Sequence, residues 1–131
     1  MKRPTALVGA TVERVAFDWQ TRLLLVARNP DTRYRVNAEL VIETPFVLRD
    51  ADGLPHELEP GTGSAQSSML DLFTKTITDL HIGDRGALTL HFDNGAQLSI
   101  DPHPGHESWN LAGTGIDGIL IGPGGETDWA E

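Results

Sequence analysis

The stretch GALTLHFDNGAQLSIDP, residues 86–102, decides the fold. Leu88, Leu90 and Phe92 alternate with Thr89 and His91, the period of two that marks a strand with one buried face. Asp93-Asn94-Gly95 follows, a turn sequence rich in residues that tolerate left-handed backbone. Leu98 and Ile100 then alternate with Gln97 and Ser99, so a second strand returns along the first. An antiparallel hairpin is predicted here, and the other segments read as its neighbours.

Toward the N-terminus, Val12, Val15 and Phe17 anchor a strand within residues 7–18, and Trp19-Gln20 is a turn that lacks glycine. Leu23-Leu24-Leu25-Val26-Ala27 is a continuous apolar run, the pattern of a strand covered on both faces. After the turn signal Asn29-Pro30-Asp31, residues 33–49 read as one long or bent strand. Tyr34, Val36, Ala38, Leu40 and Ile42 share one face, and Arg33, Arg35, Asn37, Glu39, Val41 and Glu43 share the other. Pro45 interrupts its ladder at an edge, bend or bulge. A further turn, Asp50 to Gly53, leads to a short strand at His56–Glu59.

The breaker cluster Pro60-Gly61-Thr62-Gly63-Ser64 changes the period. Met69, Leu70, Phe73, Ile77 and Leu80 fall on one helical face, which predicts one main helix over about 65–80. Ser64, Ser67 and Ser68 are candidate caps, Gly83 lies past the end, and Thr74, Thr76 and Thr78 weaken the second half. Beyond the hairpin, Ser108–Leu111 and Ile116–Ile121 read as short strands, Gly122-Pro123-Gly124-Gly125 as a turn, and Trp129 as an aromatic folding back onto the body. The expected fold is a single domain over 1–131, α+β in class and β-rich. It is a mainly antiparallel twisted sheet or partly open barrel built from hairpins, with one main helix. An internal echo supports a hairpin plan: Ala16-Phe17-Asp18 with Leu23 and Leu25 resembles His91-Phe92-Asp93 with Leu98 and Ile100.

Composition excludes several classes. The 131 residues are 39% hydrophobic with a mean hydropathy of -0.22, ordinary for a folded globular chain. With no cysteine, neither a disulfide framework nor a thiol nucleophile is available. No apolar run approaches the roughly 20 residues that span a bilayer, and no signal-peptide pattern follows Met1, so the reading is cytoplasmic with no membrane partner. Ten Lys and Arg against nineteen acids give a net charge of -9. All ten cations lie before residue 86, and the seven acids after it stand alone: Asp93, Asp101, Glu107, Asp117, Glu126, Asp128 and Glu131. An acidic third repels phosphate backbones and argues against nucleic acid. The same charge attracts a basic protein partner or serves as a solvated acidic face. Homo-oligomerisation is a further option, with Arg33 and Arg35 of one copy meeting the acidic face of another.

Chemistry concentrates at Asp101-Pro102-His103-Pro104-Gly105-His106-Glu107-Ser108-Trp109. His103 or His106 beside Asp101 or Glu107 has the make-up of a base with an orienting carboxylate, or of metal ligands. The spacing matches no metal signature, however, and Ser108 lacks the Gly-x-Ser-x-Gly elbow. The two histidines equally read as exposed loop residues, and Trp109 as core volume whose N–H needs one partner. Gly122 to Gly125 lacks the Gly-Lys-Ser/Thr of a phosphate loop, and no cofactor is expected.

Taken together, Val8-Gly9, Leu88 to Phe92 with Asp93-Asn94-Gly95, Asp101-Pro102, Glu107-Ser108-Trp109, and Gly122 to Gly125 with Trp129 carry a resemblance. The chain resembles a family of small uncharacterised actinobacterial proteins classed as a domain of unknown function. That resemblance implies no activity and assigns no catalytic residue. Small acidic α+β proteins of this look include immunity proteins, an analogy of class. The functional expectation is a non-enzymatic protein-interaction module whose acidic C-terminal face binds a basic partner. The residues expected to bind are Asp101, His103, His106, Glu107, Trp109, Asp117 and Glu126. The alternative is a small-ligand or metal-binding protein, or an enzyme, using the Asp101–Trp109 loop.

Overall fold

The computed structural model describes residues 5–105, 107–116, 118–122 and 127–129. A 3-10 turn at Thr5–Leu7 precedes β1 (Thr11–Phe17), β2 (Thr21–Arg28), β3 (Tyr34–Ile42), β4 (Phe46–Arg49) and β5 (Pro55–Leu58). A 3-10 helix at Gly63–Leu72 follows. Then come β6 (Ile77–Ile82), a 3-10 turn at Asp84–Gly86, β7 (Leu88–Phe92), β8 (Gln97–Ile100), β9 (Trp109–Thr114), β10 (Ile119–Ile121) and β11 (Thr127–Trp129). They form two antiparallel sheets, ordered β1-β2-β3-β9-β10-β11 and β5-β4-β8-β7-β6. Among the described residues there is no closed barrel. The protein is mostly β with a small helical part.

The β7–β8 hairpin forms as its alternation predicts: Leu88, Leu90, Phe92, Leu98 and Ile100 are buried. In its turn only Gly95 adopts a positive φ, of 88°, while the Asn94 side chain accepts a hydrogen bond from the Ala96 N–H at 3.0 Å. The earlier echo is the β1–β2 hairpin, and the two hairpins lie in different sheets. There the glycine-free turn is held by Asp18, whose carboxylate accepts the Gln20 N–H at 2.7 Å. The predicted bent strand 33–49 is two strands, and the chain passes at Pro45 from the first sheet into the second. Val36, Ala38, Leu40 and Ile42 face the core as read, while Tyr34 is exposed. A single core draws Leu23, Leu25, Leu40 and Ile42 from one sheet and Leu48, Leu90, Leu98 and Ile100 from the other.

The helix predicted over 65–80 is the main correction. It ends at Leu72, and Ile77–Ile82 is a strand. The predicted face of Met69, Leu70, Phe73, Ile77 and Leu80 is split between two elements and is not one buried stripe. A 3-10 helix turns every three residues, so Gln66, Met69 and Leu72 are its buried row, and Leu70 and Phe73 are half exposed. In β6 a register shift between Ile77 and Asp79 puts Ile77 and Leu80 on the same buried side, three apart instead of two. No serine caps this helix: its N-cap is Thr62, with no side-chain cap bond. Helical winding stops because Phe73 is extended, Thr74 has φ 74°, and the chain then bonds to β1. Thr74 N–H donates to Val12 O at 2.8 Å, Val12 N–H to Lys75 O at 2.9 Å, Ile77 N–H to Ala10 O at 2.8 Å, and Gly9 N–H to Ile77 O at 2.8 Å. This seam ties the first strand of one sheet to the last strand of the other.

β9 lies between β3 and β10, and Gly115 just beyond it has φ 84°. A Cβ there would collide with the Arg35 carbonyl. Gly53, in the β4–β5 turn, has nearly the same φ, 86°, but open space around its missing Cβ. Gly53→Ala is therefore expected to cost only the left-handed strain, about 1 kcal/mol, and Gly115→Ala about 3 kcal/mol or more. Chemical denaturation of the two variants checks this, and equal losses would refute the close approach at β3.

Candidate functional site

The loop from Asp101 to Ser108 joins β8 of the second sheet to β9 of the first. Its proline content keeps it off the ladder and its end is pinned by Ser108, which is fully buried. The Ser108 hydroxyl accepts the His103 N–H at 3.0 Å, and its own backbone bonds to Glu43 and Ile121. His103 Nδ1 accepts the Gly105 N–H at 2.9 Å, so in the neutral ring the proton sits on Nε2. Trp109 faces inward, fully buried, and its indole N–H donates to the Gly86 carbonyl at 2.8 Å. The Trp109 ring thus belongs to the core, whereas Asp101 and Glu107 are exposed. His106, Asp117 and Glu126 lie outside the described residues. Among those that are described, no group of three or more His, Asp or Glu is placed to hold a metal ion.

Two arrangements bring loop carboxylates together with residues that sequence spacing does not connect. The first is a groove of about 540 Å³ on the second sheet, lined by Pro45, Phe46, Val47, Glu57, Leu58, Glu59, Ser99 and Asp101. The register explains it. Val47 pairs with Glu57 on one side and Ser99 on the other, so these three share the sheet's outer face. Asp101 continues β8 and Glu59 continues β5, which sets three carboxylates around a short apolar floor. No Lys or Arg lines the groove, and Glu57, Glu59 and Asp101 make no side-chain hydrogen bond or ion pair among the described residues. Three arginines are paired elsewhere: Arg22 with Asp18 and Glu39, Arg28 with Glu13, and Arg33 with Asp31. Arg35 donates to the carbonyls of Ala6 and Val8, so it is tied within the chain.

The second arrangement is a polar chain at the end of the first sheet. Thr21, Ile42 and Trp109 align across β2, β3 and β9, so Gln20, Glu43 and Ser108 form the next rung out. Gln20 bridges the rung: its Oε1 accepts from Arg22, and its Nε2 donates to Glu43 Oε1 at 2.6 Å. Glu43 Oε2 is buried without a hydrogen-bond partner among the described residues, and Glu107 is a neighbouring carboxylate. Burial pushes the Glu43 carboxyl above its ordinary value, the hydrogen bond from Gln20 opposes this, and the neighbouring Glu107 raises it further. Glu43 and Gln20 escape the sequence reading because each looks like an ordinary strand-end residue. The one available signal was that Glu43 ends an otherwise alternating strand just before Thr44-Pro45.

Fold and groove together define a two-sheet antiparallel β domain carrying an acidic cleft on its outer face. The chain belongs to a family of unknown function, DUF6188, whose model matches residues 3–130. It matches no curated protein and no solved structure. Among the described residues no helix is long and apolar enough to cross a membrane.

Two stability tests follow. Trp109→Phe keeps most of the volume but leaves the buried Gly86 carbonyl without its donor, for an expected loss of about 1–3 kcal/mol. A loss of only a few tenths in urea titration would refute the importance of that bond. For Glu43 the sign is that of an acid whose folded value is raised. Its protonated form supports the fold fully below the ordinary value of 4.5, and that support is lost as pH rises through the folded value. Glu43→Gln retains a donor at all pH values, so it should match the parent in acid and exceed it at pH 7 by about 0.5–1.5 kcal/mol. Melting curves at the two pH values decide this, and a variant less stable than the parent at neutral pH would contradict it.

Proposed function

We propose that the protein is a non-enzymatic interaction module that receives a basic protein partner in the groove between Pro45, Glu57, Glu59 and Asp101. The observation that supports this reading most is the unneutralised state of the three carboxylates around an apolar floor. A Lys or Arg side chain fits such a groove through its two ends: the methylene stem covers Val47 and Pro45, and the charged head meets the carboxylates. The overall charge of -9 adds long-range attraction for a basic partner and repulsion for nucleic acid. The acidic surface in this reading is not confined to the C-terminal third, because Glu57 and Glu59 come from β5 and the residue after it. Neutralisation of a basic toxin, as an immunity protein performs it, is one instance of the class. Within the Asp101–Trp109 loop, Trp109 is buried and the His103 Nδ1 accepts the Gly105 N–H.

The test is affinity purification of the tagged protein at low salt, identification of the bound protein by mass spectrometry, and calorimetry with the purified pair. A stoichiometric basic partner should emerge whose affinity falls at least tenfold with Glu57→Lys combined with Asp101→Lys, and falls with added salt. Asp52→Lys, on the exposed β4–β5 turn, should bind nearly as the parent does. A partner that binds the double variant undiminished, or recovery of no basic protein at all, overturns the reading.

A further inference from the structure

We propose that β5 takes its basic partner as an added strand: an extended segment with Lys or Arg at every second residue pairs along the free edge of β5 and lays those side chains into the acidic groove. This names the binding mode and the segment chemistry for the groove, and it rests on the reading of that groove as a basic partner's site. β5 ends the second sheet, and β4 is its one strand partner among the described residues. The hairpin fixes which backbone groups that pairing uses. Asp50 N–H donates to Leu54 O at 2.9 Å, and bonded pairs recur at every second residue of an antiparallel ladder. Leu48 with His56 and Phe46 with Leu58 are therefore bonded pairs, and Val47 faces Glu57 without a bond. The far side of the sheet agrees. Phe92 N–H donates to Ala96 O at 3.0 Å, which by the same alternation turns Leu98 and Ile100 to β7 and Ser99 to Val47. The Glu57 N–H and carbonyl thus point away from β4, with the Pro55 carbonyl and the Glu59 N–H beside them. None of these four groups bonds to another backbone group among the described residues. Pro55 stands at a non-bonded position, where its missing N–H takes nothing from the ladder.

Charge selects the occupant of this edge. Side chains alternate across a strand, so Glu57 and Glu59 stand on the groove's face and His56 and Leu58 on the other. An added strand lies about 5 Å beyond β5 and sets one residue directly opposite Glu57. That residue and those two places away from it share the groove's face. A Lys or Arg there meets Glu57, the next meets Glu59, and their heads extend toward the groove floor at Val47. The residues between them turn to the side of His56 and Leu58. His56 Nε2 is already hydrogen-bonded to Asp50 Oδ2 at 2.8 Å and Leu58 is buried, so uncharged residues suit those places. A second copy of the chain is a poor occupant. Two β5 strands paired antiparallel about Glu57 set like carboxylates opposite each other, and β5 carries no Lys or Arg to offset them. The charges that keep this short edge from pairing with itself thus favour a basic strand. The opposite edge, β6, offers less: a register shift interrupts it between Ile77 and Asp79, and Ile77 is already bonded to Gly9 and Ala10.

NMR titration of the whole protein with three synthetic heptapeptides tests the added strand. The first alternates Arg and Val. The second has the same sequence with every backbone nitrogen methylated, which keeps the charge and removes the donors. The third has the same composition with its arginines in one block. At saturation the alternating peptide should slow exchange of the Glu57 and Glu59 amides about tenfold. The methylated and block peptides should bind about tenfold more weakly and slow neither amide. Shifts at Val47, Ser99 and Asp101 that are alike for the alternating and methylated peptides, with no slowing at Glu57, overturn strand addition and leave the groove reading standing. A block peptide that binds as tightly as the alternating one overturns the every-second-residue rule. No shift at any groove residue up to millimolar peptide also overturns the added strand, while the groove reading is decided separately by the partner purified with the protein.

Discussion

The backbone seam between Ala10–Val12 and Thr74–Ile77 is the constraint on which the rest depends. It joins two sheets whose other links are the shared core, the chain crossings and the Trp109–Gly86 hydrogen bond. Each bond is modest in net energy, but an unmade bond at this depth would strand a buried N–H or carbonyl. Satisfying β1 therefore takes precedence over continuing a helix that has a run of threonines ahead of it. That choice bends the chain at Phe73 and Thr74, holds Leu70 and Phe73 at the surface, and starts β6 in the place where the second sheet needs an edge strand. With β6 fixed, β7 and β8 follow by hairpin, and β8 carries Asp101 to the rim of the groove.

What could be read directly from the residues was whatever depended on neighbours in sequence. Leu88, Leu90 and Phe92 against Leu98 and Ile100 needed only alternation and a turn. The face of β3 and the break at Pro45 were equally local. The second half of the expected helix was misread because periodicity reports spacing and not its cause. Ile77 and Leu80 are three apart through a bulge, whereas Leu70 and Phe73, three apart in and just past the 3-10 helix, are half exposed. The pairing of the following chain with β1, some sixty residues distant, and with β7 distinguishes this from an α-helical stripe.

The candidate site was legible to a smaller degree and for the same reason. Asp101 and Glu107 were singled out by the company they keep in the chain, and both prove exposed. Their partners in space were not legible, because Glu57 and Glu59 reach Asp101 through the β5-β4-β8 order, and Glu43 reaches Glu107 through the β3–β9 pairing. Trp109 was open to two readings, and the Gly86 carbonyl decides in favour of the core. A groove and a carboxyl pair built this way are properties of topology, which a period of two or three cannot carry.

The placement of β9 against β3 also bears on how the chain must be made. β1, β2 and β3 can pair as they emerge from the ribosome, but the far edge of β3 stays open until Trp109–Thr114 has been synthesised. That edge belongs to a strand whose core face is Val36, Ala38, Leu40 and Ile42, an apolar surface with unpaired backbone groups beside it. At about 5–20 residues per second the wait lasts for seconds, long compared with hairpin formation. That exposure therefore falls within translation itself, and the late strand β9 that ends it sets the pace at which the open edge of β3 is covered.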